Sequence, residues 1–365
     1  MSNEKPLYYG DYLQLDKILG AQTLESDLVG QHAHDEMLFI ITHQAYELWF
    51  KQIIFELDSV IDVFDDPVVE HKNMGRVLHR LTRVKTIQRL LLNQIDVIET
   101  MTPLDFMEFR DLLTPATGFQ SVQFKEIEIK LGIRRNDRIP ADKEFFESRL
   151  TKPDLAGLDD LETKPSLLDL TDRWLDRMPF LEFGDYKFWP AYEAAVGKML
   201  DSDQNIIQKN TTLSDREKQF QLASIDRTRG LFESILEEDR FNELREKGEF
   251  RFSHRGFLAA LFINLYREEP MLYTPFRYLT LILEIDKLFT NWRQRHALMV
   301  QRMLGTKIGT GGSSGHDYLN KTTERNRVFN DLISVSTFLI PRADLPVLPA
   351  ELRQALGFFF EGKKK

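Results

Sequence analysis

Apolar residues recur along this chain at intervals of three and four, and two-residue alternation never persists, so helices are the expected elements. No internal repeat is visible. Residues 1–22 form an N-terminal arm, aromatic from Leu7 and helical from Tyr12 onward, with Tyr8, Tyr9 and Tyr12 ahead of any core of their own. Such an arm packs either on its own domain or on a neighbouring subunit, and both readings stand at this point. A long helix is expected over 36–63, its start favoured by Asp35 and Glu36 through capping and the helix dipole. On it Phe39, His43, Tyr46 and Phe50 fall at i, i+4, i+7 and i+11 and share one face. A second helix is expected over 76–100. Thr102, Pro103 and Asp105 then spell a helix start, at N-cap, N1 and N3. That helix puts Phe106, Phe109, Arg110 and Leu113 on one stripe and stops near Thr114-Pro115. Another is expected over 119–131.

From 134 to 248 acidic and polar residues increase, with helical pieces at 167–178 and 192–200, which reads as a peripheral helical insertion. The core pattern returns near Phe252 and runs through Leu283, Ile285, Leu288, Trp292, His296, Met299 and Met303. A loop follows, Gly309-Thr310-Gly311-Gly312-Ser313-Ser314-Gly315, then a helix over 326–339. Residues 343–365 read as a weakly ordered tail. The expectation is one all-α domain over 1–365.

Composition narrows the chemistry. The chain has 365 residues, 42% hydrophobic and 29% charged, enough to bury a large core. Its 57 acidic against 48 basic residues leave a net charge of −9, which argues against general nucleic-acid binding. There is no cysteine, so disulfides, thiol nucleophiles, iron–sulfur clusters, covalent c-type haem and thiolate-ligated haem are excluded. That composition fits a cytoplasmic protein. The first residues lack the apolar run of a signal peptide, and no apolar run approaches the roughly 18 residues of a membrane span.

Three side chains stand out, each with a plain alternative. His296 continues a buried stripe; it is either a hydrogen-bonded core histidine or an axial iron ligand, the usual one when no thiolate exists. Met299 and Met303 beside it are either core or a polarizable wall for a flat macrocycle. His43 sits among aromatics, as a structural residue or as a base and hydrogen-bond partner in a pocket. Arg110 on an apolar stripe needs an anion, either a nearby carboxylate of the protein or that of an aromatic ligand. The glycine loop lacks the Gly-Lys-Ser/Thr of a phosphate loop, so it is either a connection or backbone held close to a ligand, with Thr310 offering a hydroxyl. His34-Asp35-Glu36 matches half of a zinc-deaminase pattern, but the required cysteines are missing.

Taken together, several segments resemble the tryptophan 2,3-dioxygenases. They are the run His34-Asp35-Glu36-Met37-Leu38-Phe39-Ile40-Ile41-Thr42-His43-Gln44-Ala45-Tyr46-Glu47-Leu48-Trp49-Phe50-Lys51, then Leu104-Asp105-Phe106-Met107-Glu108-Phe109-Arg110, Gly118-Phe119-Gln120-Ser121, the His296 helix and the glycine loop. Tyr9-Gly10-Asp11-Tyr12-Leu13 resembles the family's arm. The similarity extends over nearly the whole chain and is weakest over 134–248, and the length resembles that of the animal-type enzymes. The resemblance implies an all-α multi-helix bundle around a b-type haem, one per subunit and ferrous when active. It implies His296 as proximal iron ligand, with Gly118, Trp292 and Met299 beside the cofactor. It implies His43 near the substrate indole N–H, Phe39 and Phe106 along the indole, and Arg110 and Thr310 at the amino-acid end. Tyr12 and Leu13 would reach the pocket of an adjacent subunit in a homotetramer. Some bacterial members have Tyr where this chain has Phe106, which removes one polar substrate contact here. The implied reaction inserts both atoms of O2 across the indole C2–C3 bond of L-tryptophan, giving N-formylkynurenine, the first step of tryptophan degradation along the kynurenine pathway. Partners are then L-tryptophan and O2, with no nucleic acid and no membrane. The rival readings are a catalytically silent helical scaffold and a haem monooxygenase or peroxygenase acting on a related indole.

Overall fold

The computed structural model describes residues 6–136, 147, 150–305 and 326–358. The arm carries α1 (Tyr9–Leu13) and α2 (Leu15–Leu19), and α3 (Glu25–Leu28) leads into α4 (Asp35–Asp65), α5 (His71–Ile98), α6 (Pro103–Met107) and α7 (Val122–Leu131). There follow α8 (Lys152–Glu162), α9 (Leu167–Asp176), the two-residue strands β1 (Glu182–Phe183) and β2 (Tyr186–Lys187), α10 (Phe188–Lys209), α11 (Asp215–Leu236) and α12 (Glu238–Glu246). The described chain closes with α13 (His254–Leu265), α14 (Pro270–Leu304), α15 (Asn330–Ser334) and α16 (Ala350–Leu356). The strands pair antiparallel, Glu182 with Lys187 and Phe183 with Tyr186. Among the described residues no helix is long and apolar enough to cross a membrane.

Three long helices set the frame, and their buried positions alternate steps of three and four. On α5 these are Met74, Val77, Leu81, Val84, Gln88, Leu91, Ile95 and Ile98. On α14 they are Leu272, Pro275, Leu279, Ile282, Asp286, Phe289 and Arg293. On α4 the series Phe50, Ile53, Leu57, Val60 and Phe64 does the same. Such spacing keeps one seam of each helix turned toward its neighbour. Burying a Leu or Phe side chain this fully is worth ~1.5–3 kcal/mol each. Polar contacts fix direction. Tyr46 Oη donates to Leu91 O at 2.8 Å, and Arg80 donates to Ser59 O at 3.2 Å, so α4 and α5 run antiparallel. Lys85 pairs with Glu284 at 2.8 Å and Arg295 with Glu99 at 2.8 Å, so α5 and α14 run parallel. The N-terminal half of α4 therefore lies beside the C-terminal half of α14.

Residues 134–248, expected as peripheral, supply Leu167, Leu170, Tyr192, Val196, Phe232 and Phe241 to the same apolar cluster as the long helices. Their polar faces dominate the composition and hide a buried stripe. The expected tail is also part of the core over its described portion: α16 buries Leu352 and Leu356, both fully enclosed, with Leu348 just before it. A short amphipathic helix preceded by prolines gives too little periodicity to stand out in sequence. The arm helix starts at Tyr9 and breaks at Gln14, whose φ is 53°. The expected continuous stripe from Phe106 to Leu113 is interrupted. The capping box of Thr102 and Asp105 forms, but α6 ends at Met107, and Arg110–Leu113 is a separate 3₁₀ turn. At Phe109 φ is −125°, outside the helical range, and the turn lets that ring bury completely. The helix expected over 326–339 is likewise divided, into α15 and a 3₁₀ turn over Val335–Phe338.

A buried polar knot ties α7 and the segment entering α15 to α14. Arg293 donates to Glu128 at 2.7 Å and to Asn326 O at 3.0 Å, while Lys125 donates to Glu128 at 3.0 Å. Asp286 accepts from the backbone N–H groups of Val328 and Phe329 at 3.0 and 3.2 Å. Buried charges persist only with such multiple partners. At the end of α7, Gly132 has φ 134°, and a Cβ there would stand 2.8 Å from Leu168 Cβ. Gly132→Ala is expected to cost about 1–3 kcal/mol of unfolding free energy, because strain and overpacking act together. Urea unfolding checks this; a variant as stable as the parent would show that the α7–α9 junction yields freely.

Candidate active site

The antiparallel register of α4 and α14 brings the two singled-out histidines together. Tyr46 and Trp292 meet edge to face with ring centroids 5.9 Å apart. His43 lies one turn before Tyr46 and His296 one turn after Trp292, so both fall at the same end of the bundle. The two imidazoles are near enough for His43 to depress the pKa of His296, after the larger effect of burial. Both residues continue the three-and-four spacing of their helices beyond the aliphatic portion. The seam of α4 reads Glu36, Phe39, His43 and Tyr46 before Phe50, and that of α14 reaches His296 after Arg293. There the long helices present polar and aromatic groups in place of interlocking aliphatics.

His296 is held on one side by Trp292, whose ring stacks on the imidazole at 5.0 Å and 5°. Its Nδ1 is buried and has no hydrogen-bond partner among the described residues. Burial pushes its pKa down to about 4, so the ring is neutral at physiological pH and its lone pair is free to bind a metal. Burial also lowers the pKa of His43, against the opposing effects of the Phe39 carbonyl and the Glu47 charge. His43 nevertheless keeps accessible surface. Desolvation combined with access marks a cleft wall. His43 Nδ1 lies 2.7 Å from Phe39 O, one turn back on α4. A carbonyl only accepts, so Nδ1 carries the proton and Nε2 is left as an acceptor. Tyr46, half-buried and hydrogen-bonded to Leu91, has its pKa raised by desolvation to about 12 and stays protonated.

An aromatic wall adjoins His43. Phe39 contacts the His43 ring at 4.1 Å and stacks on Phe106 at 5.7 Å. These rings belong to a small apolar cluster separate from the main core, built on Ala33, Met101 and Phe109 and edged by Leu38, Leu112, Leu113 and Met303. Arg110, half-buried, opens the 3₁₀ turn immediately after Phe109. The sequence stripe correctly joined Phe106, Phe109 and Leu113, but carried no signal for Ala33 or Met101, which reach the cluster from distant segments.

The other expected site residues are placed unevenly. Trp292 and Met299 lie half-buried on α14 with His296. Gly118 is exposed and opens a 3₁₀ turn, Gly118–Gln120. Thr310 and the glycine loop lie outside the described residues, as does residue 316. The root of the arm docks on α4: Glu36 accepts from the N–H groups of Glu25 and Ser26 at 2.8 and 3.0 Å, and Gln44 donates to Ala21 O at 3.1 Å. The arm itself leaves Tyr8, Tyr9 and Tyr12 at 68, 75 and 70% exposure, and Leu13 half-buried.

Among the described residues no three His, Asp or Glu side chains converge into a metal cage. A single neutral imidazole whose ring plane is set by Trp292 would fit a haem held through one histidine.

The family model for tryptophan 2,3-dioxygenase matches residues 1–339. The tryptophan 2,3-dioxygenase of Alteromonas mediterranea is 52% identical, over 98% of this chain and 99% of its own length. That of Bdellovibrio bacteriovorus is 46% identical over 97% of this chain and 99% of its own. That of the mosquito Anopheles gambiae is 43% identical over 98% and 91%. With sequence similarity of this extent and an all-α fold carrying paired histidines at one end of its long helices, the chain belongs to the tryptophan 2,3-dioxygenase family.

Proposed function

We infer that the cleft between His43 and His296 is where this chain carries out its family's reaction, the insertion of both atoms of O2 across the indole C2–C3 bond of L-tryptophan. The observation that carries the assignment is the pairing of a neutral, Trp-stacked His296 with a neutral His43 beside an aromatic wall. His296 would hold a b-type haem, one per subunit, with Trp292, Met299 and Gly118 contributing to its site. When bound, that group supplies the redox chemistry toward O2 that no side chain of this protein offers.

The chain's own residues bind and orient. Phe39 and Phe106 hold the indole between flat apolar faces. His43 presents Nε2 as an acceptor to the indole N–H, its tautomer set by the Phe39 carbonyl. Arg110 grips the substrate carboxylate, for which a planar guanidinium is suited, and Thr310 assists at the amino-acid end. Arg110 also disfavours indoles without a carboxylate, since its charge would then lose its ligand partner. Orientation by three groups converts binding into alignment of one ring bond with the reacting centre. The aromatic arm, rooted on α4 and exposed in the single chain, supports a homotetramer in which Tyr12 and Leu13 reach an adjacent pocket. A cysteine-free chain suits a cytoplasmic setting.

Anaerobic reduction of the haem-loaded protein, followed by L-tryptophan and O2, is expected to yield N-formylkynurenine by its absorbance; no product from fully loaded, reduced protein would overturn the reading. Arg110→Ala is expected to raise KM for L-tryptophan by ~2–5 kcal/mol equivalent while haem stays bound. An unchanged KM in steady-state assays removes Arg110 from the carboxylate. His296→Ala is expected to lose the Soret band on purification, and a parent-like spectrum would assign the iron to another ligand.

A further inference from the structure

Phe109 has no role in the assignments above, yet it joins the cleft's aromatic wall to the protein behind it. Its ring is fully enclosed, so it does not reach the cleft. It meets Phe39 at 5.6 Å and 66°, and Phe106 at 5.4 Å and 87°, while those two stack on each other at 27°. Both edge-on contacts converge on one ring, in the geometry that fixes aromatic positions best. Ala33 and Met101, also buried, share its cluster, which is separate from the main core. Phe109 also lies between α6 and the 3₁₀ turn, and Arg110 follows it directly. One buried ring therefore sets the position of both flat walls and the starting point of the guanidinium.

We propose that Phe109 is a specificity-determining positioning residue: it sets the depth of the indole subsite and its spacing from the carboxylate grip. The proposal rests on the reading that Phe39 and Phe106 line the indole. A smaller residue at 109 lets those rings retreat toward Ala33 and Met101. The subsite deepens, the grip on unsubstituted indole loosens, and room opens for a substituent on the benzo ring. Because the cluster is separate from the main core, the change is local.

The test compares L-tryptophan with 5-methyl- and 6-methyl-tryptophan on haem-loaded, reduced Phe109→Leu, Phe109→Ala and Phe106→Leu proteins. In Phe109→Ala the kcat/KM ratio of one methylated substrate over tryptophan is expected to rise about fivefold or more, with a smaller rise in Phe109→Leu, since a methylene's worth of room is discriminated on this scale. KM for tryptophan is expected to change more than kcat, and calorimetric Kd for tryptophan is expected to weaken in step. A general loss of stability would lower both substrates alike and leave the ratio unmoved. If both Phe109 variants keep the parental ratio while Phe106→Leu shifts it, the role of Phe109 is overturned and the indole reading stands. If Phe106→Leu also leaves the ratio unmoved, the indole reading fails and takes the proposal with it. Should Phe109→Ala not fold, the ratio in Phe109→Leu decides by the same criterion.

Discussion

The packing of α5 against both α4 and α14, which sets those two antiparallel to each other, is the constraint on which the site depends. Two histidines 253 positions apart come within electrostatic reach because Tyr46 and Trp292 fix the register between their helices. Nothing local to either histidine brings this about. The aliphatic seams lower down do, by interlocking at steps of three and four and leaving one register in which all of them are buried. A shift of one turn would move His43 and His296 about 5.4 Å relative to each other.

Where the seams leave their aliphatic stretch, the same positions carry Glu36, Phe39, His43, Tyr46 and His296. Each of these has a partner or an environment that sets its state. Glu36 is spent on the arm root, Tyr46 on the Leu91 carbonyl, and His43 on the Phe39 carbonyl. Of these, His296 keeps a buried nitrogen with no hydrogen-bond partner among the described residues, together with a ring plane set by Trp292. Desolvation keeps both imidazoles neutral, the form in which a histidine can accept a hydrogen bond or bind a metal. Geometry and protonation thus arise from the same packing.

The charged groups buried near the site act in a different way. Arg293 lies one turn before His296 but turns to Glu128 and Asn326, and Asp286 holds the backbone of Val328 and Phe329. These groups cross-tie α7, α14 and the segment entering α15. Their role is to hold α14 in place while its neighbouring face is given to the site.

Helical class, the long helix bearing His43, the Thr102 capping box and the candidacy of His43, Arg110 and His296 were all legible in the amino-acid order, because periodicity, caps and residue chemistry are local properties. The segment resemblances carried the family as well. What the order left undecided is non-local. The break at Phe109 is set by burial of a ring against Ala33 and Met101, contacts made by distant segments, and it overrides a stripe that reads as one helix. Residues 134–248 and 350–356 join the core through faces that their polar composition conceals. Whether His296 is a satisfied core histidine or a waiting ligand is likewise not written in its neighbours along the chain. Only the packed structure shows that, among the described residues, its Nδ1 is enclosed without a hydrogen bond.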